Sequence, residues 1–305
     1  MVWTSVFDAR RGQDAGGFGL RMRSNLSRVA LPLLMSLWAA GPAHAGADKV
    51  TVPLIAEGKP DAADSSVTGY LFRPSGPGRF PAAILMHGCD GLNWHMPRRG
   101  GWPLLETYAE RFVGLGYAAL VLDSFEPRGI AQACNQPLTV SPERRAWDAL
   151  SAARYLIGTG FVDPDRLVIE GHSHGAVAVL VAMEQGRWHL PEHFSAGIAW
   201  YPGCNWTKAG VTGPILILIG DEDEWTRADA CRRYADRVAA GGQAGQIVLK
   251  IYPGAGHAFD ARGSARVVAG HLIKPDPKAA ADAWTQVVDF LHQRIGKYCD
   301  PDRSR

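Results

Sequence analysis

The sequence predicts an α/β protein: a mostly parallel, doubly wound sheet with helices packed on both faces. Three observations carry that expectation. Short apolar runs rich in Val, Ile, Leu and Ala recur along the chain, such as Ala82-Ala83-Ile84-Leu85-Met86 and Leu167-Val168-Ile169. Continuous runs of this kind mark strands buried on both faces. They alternate with stretches of helical spacing, which is the pattern of strand–helix–strand units. Finally, the 305 residues are 47% hydrophobic and 20% charged, and no repeat, low-complexity tract or linker divides residues 46–305. One large domain is expected there.

Residues 1–45 read differently. Arg21, Arg23 and Arg28 precede an apolar segment over 29–40, and Gly41-Pro42-Ala43-His44-Ala45 closes on a small-x-small site. Positive, apolar, then A-x-A is the layout of a secretory signal peptide. The apolar run is too short to span a bilayer comfortably. Met22 stands where such a peptide begins, which makes residues 1–21 an upstream extension. Export to the periplasm or the medium follows. Without residues 1–45 the chain has 27 basic and 28 acidic side chains, a balance with no electrostatic signal for nucleic acid or an anionic membrane. All five cysteines, Cys89, Cys134, Cys204, Cys231 and Cys299, lie beyond Ala45. In an oxidising compartment disulfides are expected, and the absence of any C-x-x-C pair speaks against a zinc site.

In chain order, residues 50–56 and 67–73 read as strands on either side of a polar turn, with Thr68, Tyr70 and Phe72 alternating. Residues 80–87 are the first fully buried strand. A Gly-rich loop, 88–101, leads to a helix over 104–115 that stops at Gly116. Strand 117–122 closes on Asp123-Ser124, and a long loop, 125–141, precedes a helix over 142–157. A turn at Val162-Asp163-Pro164-Asp165 opens strand 166–170, and the helix after it runs to about residue 184. Strands 196–201 and 214–219, a helix over 227–240, strand 247–252 and a helix over 278–295 complete the chain. The last helix carries Ala281, Trp284, Val287, Val288 and Leu291 at helical spacing.

The chemistry centres on Gly171-His172-Ser173-His174-Gly175, between an apolar strand and the apolar start of a helix. G-x-S-x-G at such a junction is the nucleophile elbow of the α/β-hydrolase fold. A serine on so sharp a turn has a strained backbone, and side chains two residues to either side would collide with the opposing chain. Gly171 and Gly175 remove them. The serine needs a base, usually a histidine oriented by a carboxylate, in the chain order Ser, acid, His. Both partners belong on loops past the carboxyl ends of later strands. Gly220-Asp221-Glu222-Asp223-Glu224-Trp225 and Pro253-Gly254-Ala255-Gly256-His257-Ala258-Phe259 stand there. His257 is the predicted base. Asp223, set back from its strand end, is the favoured acid, with Asp221 as its rival.

An oxyanion hole needs two backbone N–H groups. One is expected from His174, the residue after the nucleophile, and the other from Cys89 in His87-Gly88-Cys89-Asp90-Gly91. Cys89 as a reactive thiol is the competing reading. His172 and His174 leave a tight turn on different sides with no carboxylate cluster tied to them, so neither metal nor cofactor is expected. His174 is expected on the pocket floor and His172 beneath the turn.

Together these stretches resemble the dienelactone hydrolase family of α/β hydrolases, in an exported branch. The resemblance rests on Leu85-Met86-His87-Gly88-Cys89-Asp90-Gly91, residues 116–125, Pro127-Arg128-Gly129, Val162-Asp163 with Arg166, residues 171–175 and 220–226, and Tyr252-Pro253-Gly254 with His257-Ala258-Phe259. It implies a Ser or Cys nucleophile, an acid at Asp223 and His257 as base. The enzymes that give the family its name carry Cys at the elbow, where this chain has Ser173, and Ala176 replaces a second glycine. Serine favours a broader hydrolase of carboxylic esters or lactones, working through an acyl-enzyme on a small-molecule substrate. Acyl transfer or C–C cleavage with the same triad, and a non-catalytic binding protein on the same fold, are the alternatives. In this fold Cys89 and Cys134 follow neighbouring strands, and Cys204 and Cys231 follow the next pair. Two disulfides are expected accordingly, with Cys299 free. Loops 93–102 and 125–136 are expected at the pocket rim, where Trp94, His95, Arg98, Arg99 and Arg128 either meet an acyl carboxylate or aromatic substrate or stand as solvated loop residues.

Overall fold

The computed structural model describes residues 46–56, 64–93, 100–208 and 210–296. The leader expected over 1–45, the rim residues Trp94, His95, Arg98 and Arg99, and Cys299 lie outside them. The chain forms β1 (Asp48–Pro53), β2 (Ser66–Phe72), β3 (Phe80–Met86), α1 (Trp102–Gly114), β4 (Ala118–Asp123), α2 (Pro142–Gly158), β5 (Val162–His172) and α3 (His174–Ala182). There follow β6 (Ala196–Trp200), β7 (Ile215–Gly220), α4 (Ala228–Val238), β8 (Ile247–Tyr252), the short β9 (Arg266–Val268) and β10 (His271–Ile273), and α5 (Pro277–Arg294).

Eight strands make one sheet in the order β1-β2-β4-β3-β5-β6-β7-β8. The β1–β2 and β2–β4 pairings are antiparallel, and every pairing from β4 to β8 is parallel. All residues of β3, β4, β6 and β7 are buried. Only a sheet covered on both faces buries both alternating side-chain sets of a strand. That is the mostly parallel α/β sheet the apolar runs predict.

The topology places the chemistry. From β3 the chain pairs to one side with β4 and to the other with β5, so the strand order reverses there. Crevices for ligands form outside the carboxyl ends of strands at such a point. Met86, the last residue of β3, pairs with Gly171 of β5, so the loop after β3 and the serine turn after β5 start side by side. Gly220 at the end of β7 likewise pairs with Tyr252 at the end of β8.

Three expectations shift. Val162-Asp163-Pro164-Asp165, predicted as a turn, belongs to β5, because Phe80 pairs with Val162 before the register slips between Phe80 and Ala82. Helix α5 buries Ala279, Ala283, Val287, Phe290 and Leu291 and leaves Ala281 exposed, so its apolar stripe is rotated from the predicted one. Residues 266–273 form a β9–β10 hairpin that corresponds to no strand expected from the sequence, with Val267 opposite Leu272. Strands of three residues are too short for an alternating pattern to register in the sequence.

Two disulfides join Cys89 to Cys134 and Cys204 to Cys231. The first links the loops that follow adjacent β3 and β4. The second links the loop after β6 to α4, which follows β7. Cys89 is therefore not a free thiol, and its reading as a nucleophile is overturned. Two disulfides fit an extracellular or periplasmic protein.

Candidate active site

Ser173 stands between β5 and α3 with φ 52° and ψ −113°. A residue with a Cβ occupies such a conformation only where its surroundings impose it. Here its N–H donates to Trp200 O at 2.9 Å, and its carbonyl accepts from Val177 N–H at 3.0 Å. A Cβ on Gly171 would lie 2.5 Å from the carbonyl carbon and oxygen of Gly175. One on Gly175 would lie 2.3 Å from Met86 O and 2.6 Å from His87 O. Both glycines are thus required by backbone approaching backbone, the first within the turn and the second against the end of β3.

The loops after β7 and β8 are pressed together: a Cβ on Gly220 would meet Ala255 O at 1.9 Å. They bring His257 and Asp223 to the serine. His257 Nε2 lies 2.9 Å from Ser173 Oγ, and His257 Nδ1 lies 2.8 Å from Asp223 Oδ2. A carboxylate only accepts, so Nδ1 carries the imidazole proton and Nε2 turns its lone pair to the serine hydroxyl. Asp223 is buried, and its Oδ1 accepts the N–H groups of Trp225 and Thr226 at 3.0 and 2.8 Å. Those bonds leave Oδ2 aimed at the histidine, with Thr226 Oγ1 also 2.8 Å away. Asp221 is exposed and accepts from Gly254 N–H at 2.7 Å. The geometry brings Asp223, not Asp221, to His257.

The loop after β3 passes close to the serine: a Cβ on residue 88 would lie in ordinary contact with Ser173 Cβ, at 3.9 Å. Cys89 is anchored twice, by its disulfide and by its carbonyl accepting from Ala133 N–H at 2.7 Å. The His174 N–H lies in the first turn of α3, where N–H groups have no intrahelical acceptor. The His174 side chain faces elsewhere. Arg145 can only donate, so its Nη1, 2.8 Å from His174 Nδ1, makes that nitrogen an acceptor and leaves Nε2–H to donate to Pro137 O at 2.9 Å.

Burial and the Arg145 charge push His174 down to about 3. The unfolded imidazole takes up a proton near pH 6.5 that the folded one refuses until about 3. The unfolded state therefore binds more protons across that window, and this group's contribution to stability is lost as pH falls through it. Between pH 7 and 5, the urea midpoint of His174→Gln is expected to fall less than that of the wild type. Parallel slopes would show that the imidazole contributes nothing to acid sensitivity.

A cavity of about 590 Å³ opens over Ser173, walled by Leu104, Leu105, Tyr201, Trp225, Ala258 and Ile273, with Arg262 and Arg266 beside them. A second, of about 340 Å³, reaches Ser173 past Pro137, His174, Val177 and Trp206. His174 thus lines the smaller cavity. Cys89 and Cys134 border both. Arg128, expected at the rim, is not there: its guanidinium grips buried Asp148 at 2.7 and 2.8 Å and also pairs with Asp64. Arg262 and Arg266 take the place expected for it. No spacing in the sequence marks them; they reach the cavity because the β9–β10 segment folds back until Ile273 bridges to His257.

Comparison with known proteins places the chain in a family. The dienelactone hydrolase family is matched across residues 67–295. A probable 2-oxo-3-(5-oxofuran-2-ylidene)propanoate lactonase of Bradyrhizobium sp. is 27% identical over 242 residues, 74% of this chain and 89% of that protein. The quorum-quenching protein AidA of Acinetobacter baumannii is 34% identical over 123 residues, 39% of this chain and 36% of that one. Among solved structures, the native thermophilic esterase of Thermogutta terrifontis superposes with a TM-score of 0.58 at 20% identity, over 84% of this chain and 95% of that one. A dienelactone hydrolase-like promiscuous phosphotriesterase from metagenomic libraries gives 0.62 at 17% identity, over 82% and 99%. Those two likenesses bear on the fold. With that fold, a serine elbow where the fold requires it and a family match over most of its length, the chain belongs to the dienelactone hydrolase family of carboxylic ester hydrolases.

Proposed function

We propose that this protein is an exported serine hydrolase that cleaves small carboxylic esters or lactones through an acyl-enzyme. The observation that carries the reading is the unbroken chain from Ser173 Oγ through His257 to Asp223, with links of 2.9 and 2.8 Å. In this reading His257 takes the hydroxyl proton as Oγ attacks the carbonyl carbon. Asp223 holds the imidazole in the required tautomer and stabilises the imidazolium that forms. The N–H groups of Cys89 and His174 receive the charge that develops on the carbonyl oxygen. His257 then passes its proton to the departing alcohol and activates the water that releases the acid. A leader over 1–45, a catalytic domain over 46–305 and delivery to the periplasm or the medium complete the proposal, supported by the A-x-A site and the disulfides.

A fluorophosphonate probe is expected to label the purified protein once, at Ser173, and to stop p-nitrophenyl butyrate turnover in step. A protein that stays unlabelled while folded would instead be the binding protein.

Arg262 and Arg266 on the wall of the larger cavity support a narrower choice, a substrate bearing a carboxylate. The Bradyrhizobium relative is named for a lactone of that kind. Losing one charged hydrogen bond corresponds to about tenfold in binding. Arg266→Ala is therefore expected to raise KM about tenfold for a carboxylate-bearing lactone and by less than about twofold for p-nitrophenyl butyrate. Equal effects on both would favour a neutral ester.

A further inference from the structure

Beneath the serine turn lies a buried polar cluster that the proposed reaction does not use. Its centre is Asp260, three residues after His257 and 8% exposed. Its Oδ1 accepts the Tyr201 hydroxyl at 2.8 Å. Its Oδ2 accepts the Tyr108 hydroxyl at 2.9 Å and faces His172 Nε2 at 3.2 Å. Four separate parts of the chain thus meet on one carboxylate: α1, the serine turn, the segment after β6, and the loop that carries His257.

Charge reinforces the geometry. Burial alone would raise Asp260, but the charge of His172 and the hydrogen bonds from His172, Tyr201 and Tyr108 outweigh it and hold the carboxyl ionised. Burial lowers His172, but the charge and hydrogen bond of Asp260, with the charges of Glu170 and Asp90, together outweigh it and favour an imidazolium facing the carboxylate at 3.2 Å. Breaking such a pair leaves an uncompensated charge, which makes its geometry hard to relax.

Two of the three arms of the cluster, His172 and Tyr201, end beside the reacting groups. His172 is the neighbour of Ser173 and is clamped flat on Trp200, with ring centroids 5.4 Å apart and planes 7° apart. The Trp200 carbonyl accepts the Ser173 N–H. Tyr201 packs its ring edge-on against the His257 imidazole, 4.8 Å between centroids. Its backbone sits at φ 43°, where a bulky side chain is strained. The Tyr201 carbonyl accepts from the Thr226 hydroxyl at 3.0 Å, and that hydroxyl also lies against Asp223. Moving Asp260 therefore moves the serine turn through His172 and the imidazole wall through Tyr201.

We propose that Asp260 is a positioning residue that sets the approach of Ser173 Oγ to His257 Nε2, by bracing the serine turn through His172 and the imidazole through Tyr201. The proposal rests on the reading of Ser173 and His257 as the reacting pair. A displacement of about 1 Å at a reacting group costs on the order of 100-fold in rate. Asp260→Asn keeps the shape and removes the charge.

With p-nitrophenyl butyrate, Asp260→Asn is expected to lower kcat about 10- to 100-fold while KM stays within about threefold, with fluorophosphonate labelling slowed by the same factor. Tyr201→Phe, which keeps the ring and loses only the hydroxyl, is expected to lower kcat about 3- to 10-fold with KM unchanged. The double variant is expected to be no slower than Asp260→Asn alone, because both changes cut one brace. All rates are compared well below each variant's Tm. A wild-type kcat in Asp260→Asn overturns the proposal. If that variant does not fold, a wild-type kcat in Tyr201→Phe overturns it, as does strict additivity in a double variant that folds. An active Ser173→Ala would remove the underlying reading. An inactive Ser173→Ala beside a fully active Asp260→Asn would remove only the brace.

Discussion

Replacing Ser173 with alanine is expected to lower kcat for p-nitrophenyl butyrate by about 10⁴- to 10⁶-fold while the fold persists. The size of the loss follows from what the hydroxyl alone supplies. In the proposed mechanism no acyl-enzyme forms without Oγ, and His257 and the N–H groups of Cys89 and His174 would only assist a direct attack by water. That residual route is worth about 10³- to 10⁴-fold over uncatalysed hydrolysis, so a trace of activity is consistent with the reading. Stability should hardly change. The strain at φ 52° belongs to any residue with a Cβ, so alanine inherits it unchanged. The single side-chain bond lost, from Oγ to His257 at 2.9 Å, contributes about 1 kcal/mol. Steady-state kinetics beside urea denaturation would measure both. A Ser173→Ala protein with wild-type kcat would end the assignment, and one that failed to fold would be answered by the fluorophosphonate labelling of the wild type.

How much of this was legible in the sequence follows the range of each interaction. The strands of the sheet interior were plain, because burial on both faces writes an unbroken apolar run such as Ile215 to Gly220 into the chain. The serine turn was plain too, since two backbone approaches under 3 Å leave only glycine at 171 and 175. The loops bearing Asp223 and His257 followed from strand ends and chain order. The choice between Asp223 and Asp221 needed the turn that buries the first and leaves the second on the Gly254 N–H.

What stayed hidden is tertiary in origin. Asp260 stands three residues from His257, in full view, yet its partners Tyr108, His172 and Tyr201 lie 152, 88 and 59 residues away. Local pattern carries no record of such a meeting. Arg128 has the same cause in reverse: it sits in a stretch that reads as pocket rim, and two aspartates at distances of 20 and 64 residues claim it. Arg266, on a strand of three residues, and Arg262, bonded to Thr107 on α1 155 residues away, reach the cavity through contacts that leave no local pattern.

Gly175→Ala is the other change expected to have a large effect, and a second glycine shows why. A methyl at 175 would sit 2.3 Å from Met86 O, 2.6 Å from His87 O and 2.8 Å from Met86 C, all backbone atoms of the β3 end with no freedom to swing away. Helix α3 must retreat from β3 or the strand end must bend. Either response costs about 3 kcal/mol or more, since overpacking against fixed backbone lies at the upper end of such penalties. Either one also shifts Ser173 and the His174 N–H away from the loop that carries Cys89, so the folded fraction should lose about 100-fold in kcat as well. Gly114, in the last turn of α1, has nothing within 4 Å of its Cβ position and no positive φ. Gly114→Ala should therefore be neutral or stabilising by up to about 1 kcal/mol, as alanine has the better helix propensity and a less disordered unfolded state. Urea midpoints of the two variants, measured side by side, separate a general intolerance of Gly→Ala from contact at one backbone crossing. If Gly175→Ala proved as benign as Gly114→Ala, α3 would not be wedged against β3, and the serine turn would owe its shape to something other than that contact.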